Sequence, residues 1–443
     1  MLHGTAKINS KTGHLEIGGC DVMQLGKEFG TPLYIVDEME VRRRCREYRD
    51  AFSKRYPNWG VLYASKALLT LAICEIMEEE GMGLDVVSGG EVYIALQAGF
   101  PAEKIYVHGN NKSKDELSIA ITAGVRRIVV DNFYELEMLE ELSSDNGEEI
   151  EILLRITPEV KAHTHEYIQT GQQDSKFGFS LESGAALQAV KKSLSIKGIN
   201  LMGIHCHIGS QIFEVEAYEA TAEVGMEFFA KVKEETGHKM TVLNLGGGLG
   251  IKYTKQDDPA SVDDYVAGIT STVVKKANEF NLELPKIIVE PGRSIVGEAG
   301  TTIYTVGSIK EIPGVRKYVA VDGGMPNNPR PALYEAEYES ILANKADKGN
   351  DELVTIAGKC CESGDILIWD VHLPLVEPGD TLAVFCTGAY TYSMSSNYNG
   401  LPRPAMVLVK EGIPKLIVQR ESYKDITKNN LRLDEYEVFT LQY

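Results

Sequence analysis

The side chains able to do covalent or acid–base chemistry fall in a few short stretches. "LYASKALLT" (62–70) sets Lys66 where an apolar run meets a Leu-rich one, and a lysine amine can hold a carbonyl group as a Schiff base. "GLDVVSG" (83–89) carries Asp85, "LMGIHCHIGS" (201–210) carries His205, His207 and Ser210, "VLNLGGG" (242–248) ends in Gly246, Gly247 and Gly248, and "IIVEPGR" (287–293) brings Glu290, Gly292 and Arg293. His205 and His207 are two residues apart, so on a strand they share a face. That spacing admits a metal pair, a hydrogen-bonded core pair or a ring packed on a cofactor. No third ligand has supporting spacing, and no metal is expected. Later, "NPRPALYEAEY" (328–338) offers Arg330 and Tyr334 on a Pro-punctuated loop, "GKCCESGDIL" (358–367) sets Cys361 and Glu362 on a Gly/Ser turn, and "CTGAYTYSMSSNYN" (386–399) contains Tyr390.

Between about residues 61 and 292, β-branched runs alternate with longer helical patterns, the sign of βα units and a parallel sheet. Eight such runs are present: the four named above that end at Lys66, Ser88–Gly89, Ser210 and Gly248, the run that ends at Arg293, and "IYVHGN", "RIVVDN" and "EILLRIT". Eight strands fit a closed (β/α)8 barrel; an open doubly wound sheet is the rival. Segments between them are amphipathic, as in "LTLAICEIMEEEG", and the Met and Phe residues of "VEAYEATAEVGMEFFAKVKEE" are expected in the core. Charge-rich "DEMEVRRRCREYRD" reads as a solvated helix face.

In a barrel, functional groups gather at the C-terminal ends of the strands, and a glycine run after strand seven beside Arg293 after strand eight stands where barrels hold phosphate. An amine and a phosphate site at one barrel mouth suggest pyridoxal phosphate (PLP) held by Lys66. That cofactor's ring nitrogen needs an acidic partner, and Glu290 is the candidate.

Past residue 300 the pattern changes to short strands between Gly, Pro and Asp turns, an all-β region, and "HLEIGG" and "TPLYIVD" near the N-terminus are strand-like too. The expected fold is therefore α/β plus all-β: a PLP-binding (β/α)8 barrel at 38–300, and a β-sandwich or β-barrel domain built from 1–37 and 301–443. A net charge of −19 argues against nucleic acid, and no long apolar run argues for a membrane. The N-terminus lacks a basic start with an apolar run behind it, so a cytoplasmic protein is expected. Seven scattered cysteines without C-x-x-C spacing read as reduced thiols.

Taken together, "YASKA", "LDVVSGGE", "HGNNKS", "HTHEYIQTGQQDSKFG", "HCHIGSQI", "LNLGGGLGI", "EPGRSIV", "RPALY", "CCESGD" and "GAYTYSMSSNYN" resemble the diaminopimelate decarboxylases, within the barrel PLP enzymes that also include ornithine decarboxylase and alanine racemase. The resemblance runs from "HGTAKIN" to "LPRPAMVLV". It implies decarboxylation of meso-2,6-diaminopimelate to L-lysine, the last step of lysine synthesis. It also implies Lys66 as the Schiff-base lysine, His207 on the cofactor ring, Glu290 at its nitrogen, and Ser210, Gly246 to Gly248 and Tyr390 around the phosphate. Arg293, Arg330 and Tyr334 would take the distal carboxylate, Glu362 the distal amine, and Cys361 would return a proton to carbon. Similar enzymes are homodimers whose Cys361 and Glu362 equivalents come from the partner chain. The chain departs from the family at Pro326 and Pro329, which bears on the shape of the loop before Arg330.

From the residues alone, Arg330 favours a substrate with a distal acid, since its planar, permanently charged fork suits a carboxylate. Ornithine would leave that charge unpaired, which costs on the order of 2 kcal/mol if the site is buried. Two alternatives stand beside this one: a related decarboxylase of carboxynorspermidine or a basic amino acid, and a non-catalytic relative. The second requires a lost chemical group, and none of Lys66, His207, Glu290, Arg293, Cys361 and Glu362 is lost.

Overall fold

The computed structural model describes residues 2–125, 127–146, 149–158 and 175–433. Most of the motif "HTHEYIQTGQQDSKFG" lies outside the described residues.

Eight parallel strands form the first unit: β1 (Trp59–Ala64), β2 (Gly83–Val86), β3 (Ile105–Val107), β4 (Arg127–Val130), β5 (Ile150–Thr157), β6 (Ile199–His205), β7 (Val242–Asn244) and β8 (Lys286–Val289). Each pairs with the next in sequence, and β8 pairs with β1, so the sheet closes and the open doubly wound rival is excluded. The two faces of each strand meet different surroundings, as period-2 geometry requires. Val61, Tyr63, Leu84, Ile105, Val107, Ile128 and Val130 pack outward into the large core beneath the helices. Leu62, Tyr106, Val129, Leu153, Val242 and Ile288 form a separate apolar cluster contributed by six strands, the inward layer.

Most connecting helices carry side-chain caps at their N-termini. Thr70 receives the Ile73 N–H, Ser88 that of Glu91, and Ser113 closes a capping box with Glu116. The longest, Val215–Thr236, buries Met226, Phe228 and Phe229 as its pattern predicted. Helix Glu38–Ser53 differs from the expected solvated face. Val41, Cys45 and Tyr48 are buried, Arg42 and Arg46 converge on Glu80, and Arg44 donates to the Ser294 carbonyl. Its charge run ties the helix to neighbouring elements, which a count of charges alone cannot reveal.

The second unit is all β. Strand Leu33–Asp37 lies between Gly300–Ile312, antiparallel, and Ala405–Lys410, parallel, so residues from both ends of the chain share one sheet. The 13-residue strand Gly300–Ile312 pairs with Thr381–Phe385 along its first half and, after a register shift at Val306/Ile309, with Arg316–Val321 along its second. Its core holds Leu33, Ile35, Ile303, Tyr304, Val319, Leu382, Val384 and Val407. Strand Leu15–Ile17, expected from "HLEIGG", lies in a small separate sheet with Lys7–Ile8 and Cys20–Asp21; those two strands and Ser340–Leu342 were not anticipated. All seven cysteines are free thiols. Among the described residues no helix is long and apolar enough to cross a membrane.

Candidate active site

Two residues beyond four members of the apolar layer the same inward face turns polar: Tyr106 is followed by His108, Leu153 by Arg155, Val242 by Asn244 and Ile288 by Glu290. The period-2 step carries each of these side chains into the space above the layer. There a cavity of about 230 Å³ is lined by Lys66, Asp85, His108, Arg155, Phe177, His205, His207, Ser210, Gly247, Gly248, Glu290, Gly292, Arg293 and Tyr390, among others. Ten of the residues expected at the site thus meet at the barrel mouth.

Lys66 sits on the single turn Ser65–Ala67 just past β1 and is exposed to the cavity opening. Its turn is held from the β domain: Tyr390 N–H and Ser393 Oγ both donate to the Ala67 carbonyl, at 2.8 and 3.1 Å. Tyr390 itself has φ of 59°, a left-handed conformation that a bulky residue rarely adopts.

Glu290 forms the floor. Asn244 Nδ2 donates to its Oε1 at 2.6 Å, His205 Nε2 lies 3.1 Å from Oε2, and His108 Nε2 lies 3.0 Å from Oε1. Burial opposes ionisation of Glu290, but the adjoining His108 and His205 outweigh it and hold the carboxyl well below the usual range. A carboxylate only accepts, so His205 donates from Nε2. Burial pushes the pKa of His205 down to about 4, leaving that ring neutral near pH 7. Asp85, at the end of β2, is 3.6 Å from His108; burial, together with the Glu290 charge, pushes its pKa up, against the pull of His108 and Lys66. The two carboxyl groups are therefore driven in opposite directions.

His205 and His207 go separate ways. The ligand atoms of His205, His108 and Glu290 lie within 4.8 Å of one another, a grouping with metal-like spacing. The Glu290 oxygens are already engaged by Asn244 and His205, which suits a hydrogen-bonded charge. His207 instead accepts the Gly247 N–H on Nδ1 at 3.3 Å, and burial, reinforced by Lys66, drives its pKa well below the ordinary value.

The glycines give close approach. A Cβ on Gly247 would stand 2.1 Å from the Glu290 carbonyl oxygen, and Gly246 and Gly248 have φ of 64° and 123°. Gly292 passes the Ala64 and Ala67 side chains, where a Cβ would meet carbon at 3.0 and 3.1 Å.

Arg293 begins the short helix Arg293–Val296 and donates to Ser210 Oγ at 2.7 Å and to Tyr253 Oη at 2.6 Å. Arg330, which opens helix Arg330–Tyr334 of the β domain, donates to the same Tyr253 oxygen at 2.6 Å. Both are buried, and among the described residues neither is ion-paired to a carboxylate. Two buried guanidinium groups with no carboxylate partner among the described residues can receive an anion. The loop before Arg330 is packed and hydrogen-bonded: Asn327 and Asn328 are buried, the Asn327 carbonyl accepts from Tyr34, and the Pro326 carbonyl from Ser396.

Tyr334 is half-buried on the last turn of its helix and does not line the cavity. Cys361 and Glu362 are exposed on the 358–365 loop, where Cys361 N–H donates to Asn399 Oδ1, and they do not line it either. His108, Asn244, Arg155 and Tyr253 escaped the sequence reading. His108 and Asn244 could have been found from the inward period-2 step on "IYVHGN" and "VLNLGGG".

Residues 38–297 match the family model described as the pyridoxal binding domain of pyridoxal-dependent decarboxylases. The chain is 53% identical over 431 residues to the diaminopimelate decarboxylase of Bacillus subtilis (strain 168), covering 97% of this chain and 98% of that one. This chain belongs to the diaminopimelate decarboxylase family. Another family member, from Synechocystis, is 48% identical over 97% of this chain and 92% of its own. The crystal structure of the M. jannaschii family member in complex with L-lysine superposes with a TM-score of 0.91 at 39% identity, covering 98% of this chain and all of that one. A lysine/ornithine decarboxylase from Vibrio vulnificus with putrescine gives 0.74 at 25% identity over 88% of this chain and 97% of that one.

Proposed function

We propose that the barrel-mouth cavity is where this chain removes CO2 from meso-2,6-diaminopimelate to give L-lysine, as a PLP-dependent carboxy-lyase at the last step of lysine synthesis. The observation that carries this reading is the pairing of two features across one cavity. On one side a lysine amine faces a buried, ionised Glu290; on the other Arg293 lines the cavity and is joined through the shared Tyr253 oxygen to Arg330, both arginines buried and, among the described residues, without a carboxylate partner.

The residues fit the cofactor. The Gly246–Gly248 turn offers backbone without side-chain obstruction, and Glu290 supplies a buried negative charge whose donors include a neutral imidazole. PLP, when bound, supplies an electron-withdrawing ring that accepts the electron pair left by a departing carboxylate. Lys66 would hold it covalently, His207 would lie on its ring, Glu290 would keep its nitrogen protonated, and Asp85, Ser210, Gly246, Gly247, Gly248, Gly292, Arg293 and Tyr390 would surround it. Arg293, Arg330, Tyr334 and Tyr390 would receive the retained end of the substrate. A guanidinium is charged at every working pH, so the distal carboxylate is selected by charge as well as by shape.

Cys361 as proton donor and Glu362 as ligand of the distal amine fit a homodimer in which both reach the cavity of the partner chain. Their exposure, and their position away from the cavity of their own chain, support this. The barrel would occupy 38–300 and the β domain 1–37 with 301–443, in a cytoplasmic enzyme.

The test is CO2 release by the PLP-loaded protein, offered meso-diaminopimelate, ornithine and carboxynorspermidine in parallel, with Lys66→Ala as control. Release from diaminopimelate alone, abolished in the control, is expected. Release from another substrate only would overturn the pocket assignment, and release from none would favour a non-catalytic relative.

A further inference from the structure

We infer that Tyr253 is a positioning residue that sets the distance between Arg293 and Arg330, and through them the preference for a ligand bearing a carboxylate. The inference rests on the reading that these arginines receive the retained end of the substrate.

Tyr253 belongs to the loop after β7, in the barrel unit, but its ring is buried in the core of the β domain, edge-on to Tyr338 at 5.4 Å. Its hydroxyl oxygen stands 2.6 Å from Nη1 of Arg293, from the barrel, and 2.6 Å from Nη1 of Arg330, from the β domain. Two like charges brought together away from water repel, and a shared acceptor between them offsets that repulsion. A phenol oxygen has two lone pairs, and two guanidinium N–H groups use both. The hydroxyl proton is then directed away from the cations and is free to donate to an anion. Tyr253 thus joins two cations carried by different units, so that one carboxylate can meet both.

Arg293 is held on another edge by Ser210, through Nε at 3.3 Å and Nη2 at 2.7 Å. The larger effect of losing the hydroxyl is therefore expected at Arg330. Phenylalanine at 253 would keep the ring packed on Tyr338 and delete only the shared oxygen.

L-Lysine and 1,5-diaminopentane differ by one carboxylate, and both can be titrated into the PLP-loaded protein while the cofactor absorbance is followed. The wild type should bind L-lysine more tightly than the diamine. Tyr253→Phe should shrink that preference about tenfold, with the diamine affinity and melting temperature unchanged. An undiminished preference in Tyr253→Phe would overturn the inference. So would a variant in which both affinities and the melting temperature fall together, which would make Tyr253 a packing residue. A wild type that binds the two ligands equally would remove the carboxylate reading itself, and the inference with it.

Discussion

Asn244 joins Glu290 to the glycine turn: its Nδ2 donates to Glu290 Oε1 at 2.6 Å, while its Oδ1 accepts the Gly246 N–H at 2.9 Å. One buried amide therefore orients both the charge proposed for the cofactor ring and the backbone proposed for its phosphate. Asn244→Ala should weaken PLP binding by about 10- to 100-fold, the worth of one or two hydrogen bonds involving a charged group. Equilibrium dialysis of PLP against the variant measures it, and wild-type affinity would contradict the role.

His205 should make the protein acid-sensitive. Its folded pKa of about 4 lies below the ordinary 6.5 because burial disfavours the charged ring. Between those values the unfolded chain takes up a proton that the folded chain refuses, so stability falls as pH drops from 6.5 towards 4, by on the order of 3 kcal/mol. Above 6.5 the ring is neutral in both states and contributes no slope. Glu290 acts in the same direction, since the stability from its depressed pKa is lost as acid protonates it. Melting temperatures across this range should decline less steeply in His205→Gln; parallel profiles would contradict the assignment.

The loop carrying His108 is anchored by a buried ion pair. Lys112 Nζ donates at 2.7 Å to Glu135, to the Gly109 carbonyl and to the Val129 carbonyl, with both charged side chains about 1% exposed. Lys112→Met leaves the buried Glu135 without its counter-charge, at a cost of about 3–5 kcal/mol. The double variant Lys112→Met with Glu135→Gln should recover most of that stability in denaturant titrations. No recovery would mean that the backbone contacts of Lys112 carry the effect.

Shared active sites can be tested by mixing subunits. Lys66→Ala and Cys361→Ala proteins should each be inactive or severely slowed. After unfolding and refolding together, half the dimers would be mixed and hold one intact site each, restoring about a quarter of wild-type activity. No restoration would place Cys361 in its own chain's site, and wild-type activity of Cys361→Ala by itself would place it outside catalysis.

How far the sequence foretold this site depended on whether a residue's partner could be inferred from strand geometry. Lys66, Asp85, His207, Glu290 and Arg293 were legible because each ends or follows a β-branched run, and barrel geometry brings such ends together. Asn244 lies two residues beyond Val242 on the same inward face, yet the glycines after it drew the reading away. Tyr253 was hidden for a different reason. Its two guanidinium partners lie 40 and 77 residues downstream, the farther one in the other unit, and no local periodicity encodes a contact between units. The charge run at 37–50 misled because its arginines find buried Glu80 on another helix end, a pairing invisible in one segment. Cys361 and Glu362 are exposed within one chain, so their roles depend on an assembly that a single chain cannot display.

The most direct test of the central claim is to identify which lysine holds the cofactor. PLP-loaded protein is reduced with borohydride, digested, and the pyridoxyl-bearing peptide sequenced by mass spectrometry. The account predicts a single modified site at Lys66, lost in Lys66→Ala. Labelling at any other lysine, or labelling that persists in the variant, would contradict it.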